Sequence, residues 1–432
     1  MTAGERAPLL RHRGDGGGTS RAMTAGERAP LLRHRGDGGG TSRAMTVGER
    51  ARPPHKRLSL QLFPKCVTSI LRPLVLLLPF LLAWPALARA DDRVVNVYNW
   101  TDYIDPAVLA QFTRETGIAV RYDMFDSLET LEAKLLAGHS GYDVVVPTSE
   151  PTFSRLIRAG ALAGIDRAKV PNWSNLDPAL MQRVAESDPG NRHGAIYLWG
   201  STGLGFNPDR IHALAPDAPL DSWALLLDPA WAKRLAPCGI IMMDSAIDVF
   251  PSVLHYLGRS PDSGAPADIA AAETALMAIR PYIRQFASGG ALEALATGQA
   301  CLALDYSGDV VQARARAKQA GNGVTVRYVA PKEGAQVGFD MLAIPADAPD
   351  KPEALALINF LLRPEIMARI TDATHYPNAI PATRKLVDPA LLNDPNVFPT
   401  EAEMRRFFTV HAATPAAERL RTRAWSRFKA GG

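Results

Sequence analysis

Residues 94–146 read VVNVYNWTDYIDPAVLAQFTRETGIAVRYDMFDSLETLEAKLLAGHSGYDVVV, and two periods alternate along them. The run 94–98 is short and β-branched, 106–117 carries Val108, Leu109 and Phe112 at helical spacing, and 118–125 is strand-like again. Asp126-Ser127-Leu128-Glu129 has the form of a capping box opening a second helix, with Leu128, Leu131 and Leu135 on one face. The stretch 142–146 is apolar enough for a strand buried on both sides. Strands alternating with helices predict a parallel sheet covered on both faces, an α/β lobe. The 342 residues from Asp91 to Gly432 exceed one ordinary core and predict two such lobes.

Ligands of such sheets bind beyond the carboxyl ends of the strands. The residues standing there are Trp100-Thr101-Asp102-Tyr103, Thr148-Ser149, Tyr306-Ser307-Gly308-Asp309 after a strand at 300–304, and Phe339-Asp340. Rings flanking a carboxylate suit an organic cation, because ring faces attract positive charge and the carboxylate pairs with it. The plainer readings are an aromatic strand end packed into a core at 100–103 and a helix-capping role for Asp309. Asp105-Pro106 already supplies a cap and first-turn residue for the helix that follows, which leaves Asp102 spare.

Ahead of this region, basic residues (Arg50, Arg52, Lys56, Arg57, Lys65) precede an apolar core at 71–87, and Ala88-Arg89-Ala90 supplies a small-x-small exit. That is the pattern of a secretory signal peptide cleaved near Ala90-Asp91. Pro73, Pro79 and Pro85 argue against the alternative of a retained anchor. Residues 1–22 recur unchanged as 23–44, and a third copy begins at Met45. No packing role is expected of this Gly- and Arg-rich repeat, and Met45 is the expected translation start. Residues 1–90 hold 15 of the 48 Lys and Arg and 5 of the 44 Asp and Glu, leaving 33 basic and 39 acidic residues, a net charge of −6, in the exported part. Such a protein is a poor nucleic-acid binder and a reasonable host for cations. Cys238 and Cys301 remain; in an oxidising compartment an isolated pair reads as one disulfide, the alternative being two buried thiols.

An enzyme is the main rival class. Six histidines follow position 90 (139, 193, 212, 255, 375, 411) without an i,i+4 pair or metal-ligand spacing, and no G-x-S-x-G occurs. His375, beside Tyr376, is expected at most to make a hydrogen bond at the rim of a pocket. Gly200 to Gly205 reads G-x-x-G-x-G but leads into Phe206-Asn207-Pro208, so a strand crossing between lobes is expected there rather than a nucleotide loop. No cofactor or metal is expected.

The segments YNWTDYID (98–105), YDVVVP (142–147), LWGSTGLGFN (198–207), DSWALLL (221–227), YSGDV (306–310), PKEGA (331–335) and LLRPE (361–365), in that order, resemble the periplasmic polyamine-binding proteins of ABC importers, most closely the putrescine-binding branch. The resemblance runs from about Val94 to RTRAWSRFK (421–429). It implies a type II periplasmic binding protein fold: two α/β lobes, each a mainly parallel sheet flanked by helices, joined by crossing segments. Lobe 1 is expected at 91–197 and 310–363, lobe 2 at 198–309 and 364–432. It further implies a periplasmic monomer that captures a putrescine- or spermidine-class ligand for an inner-membrane permease complex, or, alternatively, for a membrane sensor.

Carried over by position, Trp100, Asp102, Tyr103, Asp309, Asp340, Ser288 and Tyr376 match family ligand contacts. Thr101 and Thr148 replace serines, Asp248 a glutamate and Tyr306 a tryptophan, while Cys238 and Cys301 match a disulfide pair. Gly338 stands where the branch has an aromatic ring. With Asp248 and Tyr306 it removes bulk, so the expected ligand is longer or wider than putrescine. One residue is also inserted within 149–155, which leaves Thr148 or Ser149 as the pocket hydroxyl.

Overall fold

The computed structural model describes residues 93–287, 289 and 291–431. The leader repeat, the signal sequence and Ser288 lie outside the described residues. The chain opens as read: β1 (Val94–Trp100) pairs in parallel with β2 (Ala119–Phe125) and with β3 (Val144–Val145), and helix α1 (Pro106–Thr116) connects the first two. Asp105 caps α1, its carboxylate accepting from the Ala107 N–H (2.8 Å), and Gly117 closes the helix at φ 69°, a left-handed turn that glycine takes without strain. Helix α2 (Leu128–Leu136) buries Leu128, Leu131 and Leu135 as expected, but its cap is Ser127 rather than Asp126. The Ser127 hydroxyl accepts from the Thr130 N–H at 3.2 Å, which leaves Asp126 exposed. The strand expected at 142–146 contributes only Val144 and Val145 to the ladder. Tyr142 instead stacks on Tyr98 (4.5 Å, 2° between planes) and donates its hydroxyl to Asp123 (2.9 Å).

A second parallel set, β6 (Ile240–Met243) between β7 (Gln285–Ala287) and β8 (Leu302–Tyr306), forms the other half of the sheet. Two long strands join the halves, antiparallel to their neighbours: β5 (Gly194–Phe206) and β10 (Val337–Pro345). The short strands β4 (Leu162–Ala163) and β9 (Arg327–Val329) pair with β10 and β5. The whole is therefore a mixed sheet with a parallel group at each end. Strand β5 pairs with β10 over its first half and with β8 over its second, so the glycine-rich 200–205 stretch is a crossing strand. Glycine is required at Gly203: a Cβ there would lie 2.4 Å from the Val329 carbonyl oxygen.

Two main hydrophobic cores flank this crossing. The first gathers side chains from Val95 to Trp199 and again from Ala335 to Ile380, with Phe407; the second gathers Leu204 to Leu304 with Ala424, Trp425 and Phe428. Val310, Ala313, Ala317 and Tyr328 pack with Ile241 and Ala303 on the second half's strands, not with the first core where 310–363 was expected. Ile366, Met367, Ile370 and Tyr376 pack in the first core rather than with the second, where 364–432 was expected. The reason is that the chain crosses back at β10, not at residue 310. Cys238 and Cys301 form a disulfide (Cα–Cα 5.5 Å) between the turns that precede β6 and β8, fixing the starts of two adjacent parallel strands. Among the described residues no helix is long and apolar enough to cross a membrane.

Candidate functional site

One cleft opens at the ends of β1 and β8 and the start of β10, and its lining comes from both cores. Trp100 ends β1; its indole N–H donates to the Val146 carbonyl (3.0 Å) and its ring packs on Phe125 (4.6 Å). Tyr306 ends β8, packs against both cores and meets Trp100 edge-on at 6.4 Å. Tyr103 and Tyr376 are buried and meet edge to face (4.8 Å). These four rings form the apolar walls.

Each of three carboxylates in the cleft is held by the hydroxyl of one tyrosine. Tyr103 donates to Asp340 Oδ2 (2.6 Å), Tyr376 to Asp309 Oδ1 (2.9 Å) and Tyr306 to Asp248 Oδ2 (3.0 Å). Thr148 adds a hydrogen bond to Asp340 Oδ1 (2.6 Å), and Ser245 and Gln336 add bonds to Asp248 (2.6 and 3.3 Å). The partners of Asp340 reach it from 192 and 237 residues away, so the sheet crossing builds this arrangement. Every one of these donors is neutral. Burial pushes the carboxyls of Asp309 and Asp340 up to about 6, against the hydrogen bonds that hold them down, and it raises Asp248 as well.

The lining includes Asp126, Glu129, Glu150, Asp244, Asp248, Asp305, Asp309 and Asp340, yet no described lysine, arginine or histidine. Some of this charge is already answered: Asp244 pairs with Lys429 (2.6 Å), which stands outside the lining, and Glu150 accepts from Ser154 (2.7 Å). Asp248, Asp305, Asp309 and Asp340 make no ion pair among the described residues, although the Arg316 charge, itself paired with Asp102, lowers the pKa of Asp309, and such a cavity is chemically matched to a cation.

Of the residues singled out from sequence, Trp100, Thr101, Tyr103, Thr148, Asp248, Tyr306, Asp309, Asp340 and Tyr376 line this cleft. Asp102 is not among the lining residues, though its charge acts on Asp309. It takes a left-handed backbone (φ 55°) that turns its side chain outward, where it accepts from Arg316 (3.0 Å) at 52 % exposure. Ser288 lies outside the described residues. Thr148, not Ser149, faces the cleft. The Phe153 N–H reaches back to the Thr148 carbonyl (3.0 Å), a turn one residue wider than an α-helix. His375 is not part of the lining, and its buried Nδ1 makes no hydrogen bond. A Cβ on Gly338 would meet the Thr148 methyl at 3.0 Å, so that methyl occupies the space beside Gly338. Asp305 and Gln336 were not anticipated. For Asp305 the signal was a carboxylate ending an apolar strand, directly before Tyr306; Gln336 carries no such mark.

Comparison with known proteins agrees with this chemistry. Residues 107–400 match the family model described as bacterial extracellular solute-binding protein. The chain is 48% identical over 343 residues to the putrescine-binding periplasmic protein SpuD of Pseudomonas aeruginosa (strain UCBPP-PA14), covering 79% of this chain and 93% of that protein. It is 43% identical over 344 residues to the putrescine-binding periplasmic protein PotF of Escherichia coli (strain K12), with the same coverage of both. A solved structure described as a putative spermidine/putrescine ABC transporter from Listeria monocytogenes superposes with a TM-score of 0.71 at 27% identity, covering 78% of this chain and 99% of that one.

Proposed function

The chain belongs to the bacterial extracellular solute-binding proteins, and from that membership we propose that it captures a linear polyamine in the cleft and delivers it to an ABC importer. The observation that carries this reading is the charge of the cleft: tyrosine-held carboxylates, aromatic walls and no basic residue in the described lining. A polyamine needs charge-assisted hydrogen bonds at its nitrogens and apolar surface along its methylenes. Asp309 and Asp340 pair with one ammonium, Asp248 serves the other end, and Trp100, Tyr103, Tyr306 and Tyr376 cover the stem. Each ring–cation contact contributes about 0.5–2 kcal/mol. Asp102, at the rim, acts on the ligand only through its field.

The lobes follow the cores: 94–199 with 335–407 as lobe 1, and 202–330 with 411–431 as lobe 2. Without ligand, carboxylates in a closed cleft lack countercharge, so the empty protein stays open and hydrated. The ligand interacts differently with the open and closed forms, which is what shifts that equilibrium. The site binds and releases its ligand unchanged. Export through the 66–90 signal sequence places the monomer in the periplasm, beside the permease.

A thermal-shift panel of amines, amino acids and sugars tests the reading, since a ligand that binds only the folded state raises the melting temperature. Polyamines are expected to give the largest shift. A protein stabilised by amino acids or sugars but not by amines would refute it.

A further inference from the structure

A second groove, of about 870 Å³, opens on the other face of the strands that carry the cleft. Where β5 meets β10, Gly200 pairs with Gly338 and both line the cleft. The adjacent pair, Trp199 with Phe339, points to the opposite side, as alternate residues of a strand do. Trp199 lines the groove, and Phe339 packs against it at 6.0 Å. Residues 376–378 make the partition: Tyr376 lines the cleft and Asn378 the groove. The Trp199 backbone N–H donates to the Pro377 carbonyl (3.0 Å), and its indole N–H donates to the Asn378 carbonyl (3.4 Å). The two cavities stand back to back and share no lining residue.

Their chemistry is opposite. The cleft has eight acidic residues and no basic one in its described lining. The groove has an apolar floor that includes Leu180, Trp199, Ile380, Met404 and Phe407, of which Leu180 and Met404 are partly exposed. Arg183, Arg384 and Arg405 stand around it, all exposed, and none makes a hydrogen bond or ion pair with a described residue. Arg183 lies over the Phe339 ring (5.9 Å), a contact that leaves its N–H fork unused. Two carboxylates also line the groove. Asp177 spends Oδ1 on its helix cap, accepting from the N–H groups of Ala179 (2.8 Å) and Leu180 (3.4 Å), and Glu401 is exposed in the first turn of a short helix. Three cations against two carboxylates leave a positive excess here, in an exported part whose net charge is −6.

We propose that this groove is a second binding site, for a small organic anion with a flat apolar body, such as an aryl carboxylate or aryl phosphate. The floor covers the body, and guanidinium forks match the paired oxygens of the anion. The volume lies within the roughly 300–1,000 Å³ of small-molecule sites, which are mostly apolar with a few convergent polar groups. The arginines repel a polyamine, so the site is independent of the polyamine reading.

Titration calorimetry of the full chain with phenyl phosphate tests this, against phenol and inorganic phosphate, each with and without saturating putrescine. Phenyl phosphate is expected to bind at least about tenfold more tightly than either fragment. Putrescine should leave that binding in place. Arg183→Gln, Arg384→Gln and Arg405→Gln should each weaken it by about three- to tenfold, the scale of a hydrogen bond to a charged group at an exposed site. The melting temperature and putrescine affinity of these variants should not change, since all three side chains are exposed and outside the cleft. No binding, equal binding of phenol or inorganic phosphate, displacement by putrescine, or indifference to all three arginine variants overturns the inference. A glutamate-rich peptide that outcompetes phenyl phosphate would make the groove a protein contact and overturn it likewise. None of these outcomes bears on polyamine capture in the cleft.

Discussion

Asp309 and Asp102 were both read as ligand carboxylates, and their surroundings now separate them. Asp309 lines the cleft with Tyr376 as its donor, while Asp102 is half exposed on Arg316. Asp309→Asn should weaken polyamine binding more than about tenfold, since hydrogen bonds to charged groups contribute roughly 1.5–3 kcal/mol. It should leave the fold intact, because the substitution removes a buried charge without changing shape. Asp102→Asn should cost less than about threefold, as an exposed ion pair contributes about 0–1 kcal/mol. Calorimetry on the two variants checks the order. Equal losses would mean that Asp102 turns inward when ligand is present.

At the scale of elements, β8 ends on Tyr306, β6 leads through Ser245 into the helix whose first turn carries Asp248, and the Cys238–Cys301 disulfide holds the starts of those two strands together. The bridged residues are 63 positions apart, and closing such a loop stabilises the fold by roughly 4 kcal/mol in the chain-entropy model. Replacing both cysteines with alanine should therefore lower the melting temperature of the empty protein clearly. Polyamine affinity, measured well below that temperature, should change little, because neither sulfur lines the cleft. Loss of binding in a protein that still melts cooperatively would show that strand alignment, and not stability alone, depends on the bridge.

For the whole molecule, burial in the cleft as described raises the carboxyls of Asp309 and Asp340 to about 6, above their ordinary value of 3.8. A raised acid pKa means that the folded state holds protons more tightly than the unfolded one. The stability these groups contribute is then complete below pH 4 or so and is lost as pH rises through about 6. Ligand reverses the sign, because an ammonium favours ionised partners. Between pH 5 and 7.5 the closed form without ligand should lose stability from these groups while polyamine affinity rises. Melting curves with and without a saturating polyamine measure both. A ligand-induced shift that is larger at pH 5 than at pH 7.5 would contradict the assignment of these carboxylates.

Residue order alone determined the α/β alternation, the Asp105 cap, the crossing strand at Gly200–Gly205 and the placing of carboxylates and rings just after strands. These are local properties: periodicity, capping chemistry and apolar runs report how a segment meets its immediate surroundings. Tertiary structure decided which way each carboxylate faces. Asp102, with φ 55°, is half exposed on Arg316, Asp309 lies against Tyr376, and Ser127 takes the cap that leaves Asp126 exposed. It also decided the pairing of Tyr103 with Asp340 and of Tyr376 with Asp309, and where the chain returns to the first core. Such contacts join residues that meet only after two long strands have carried the chain across the sheet, and no pattern of neighbours along the sequence encodes that meeting.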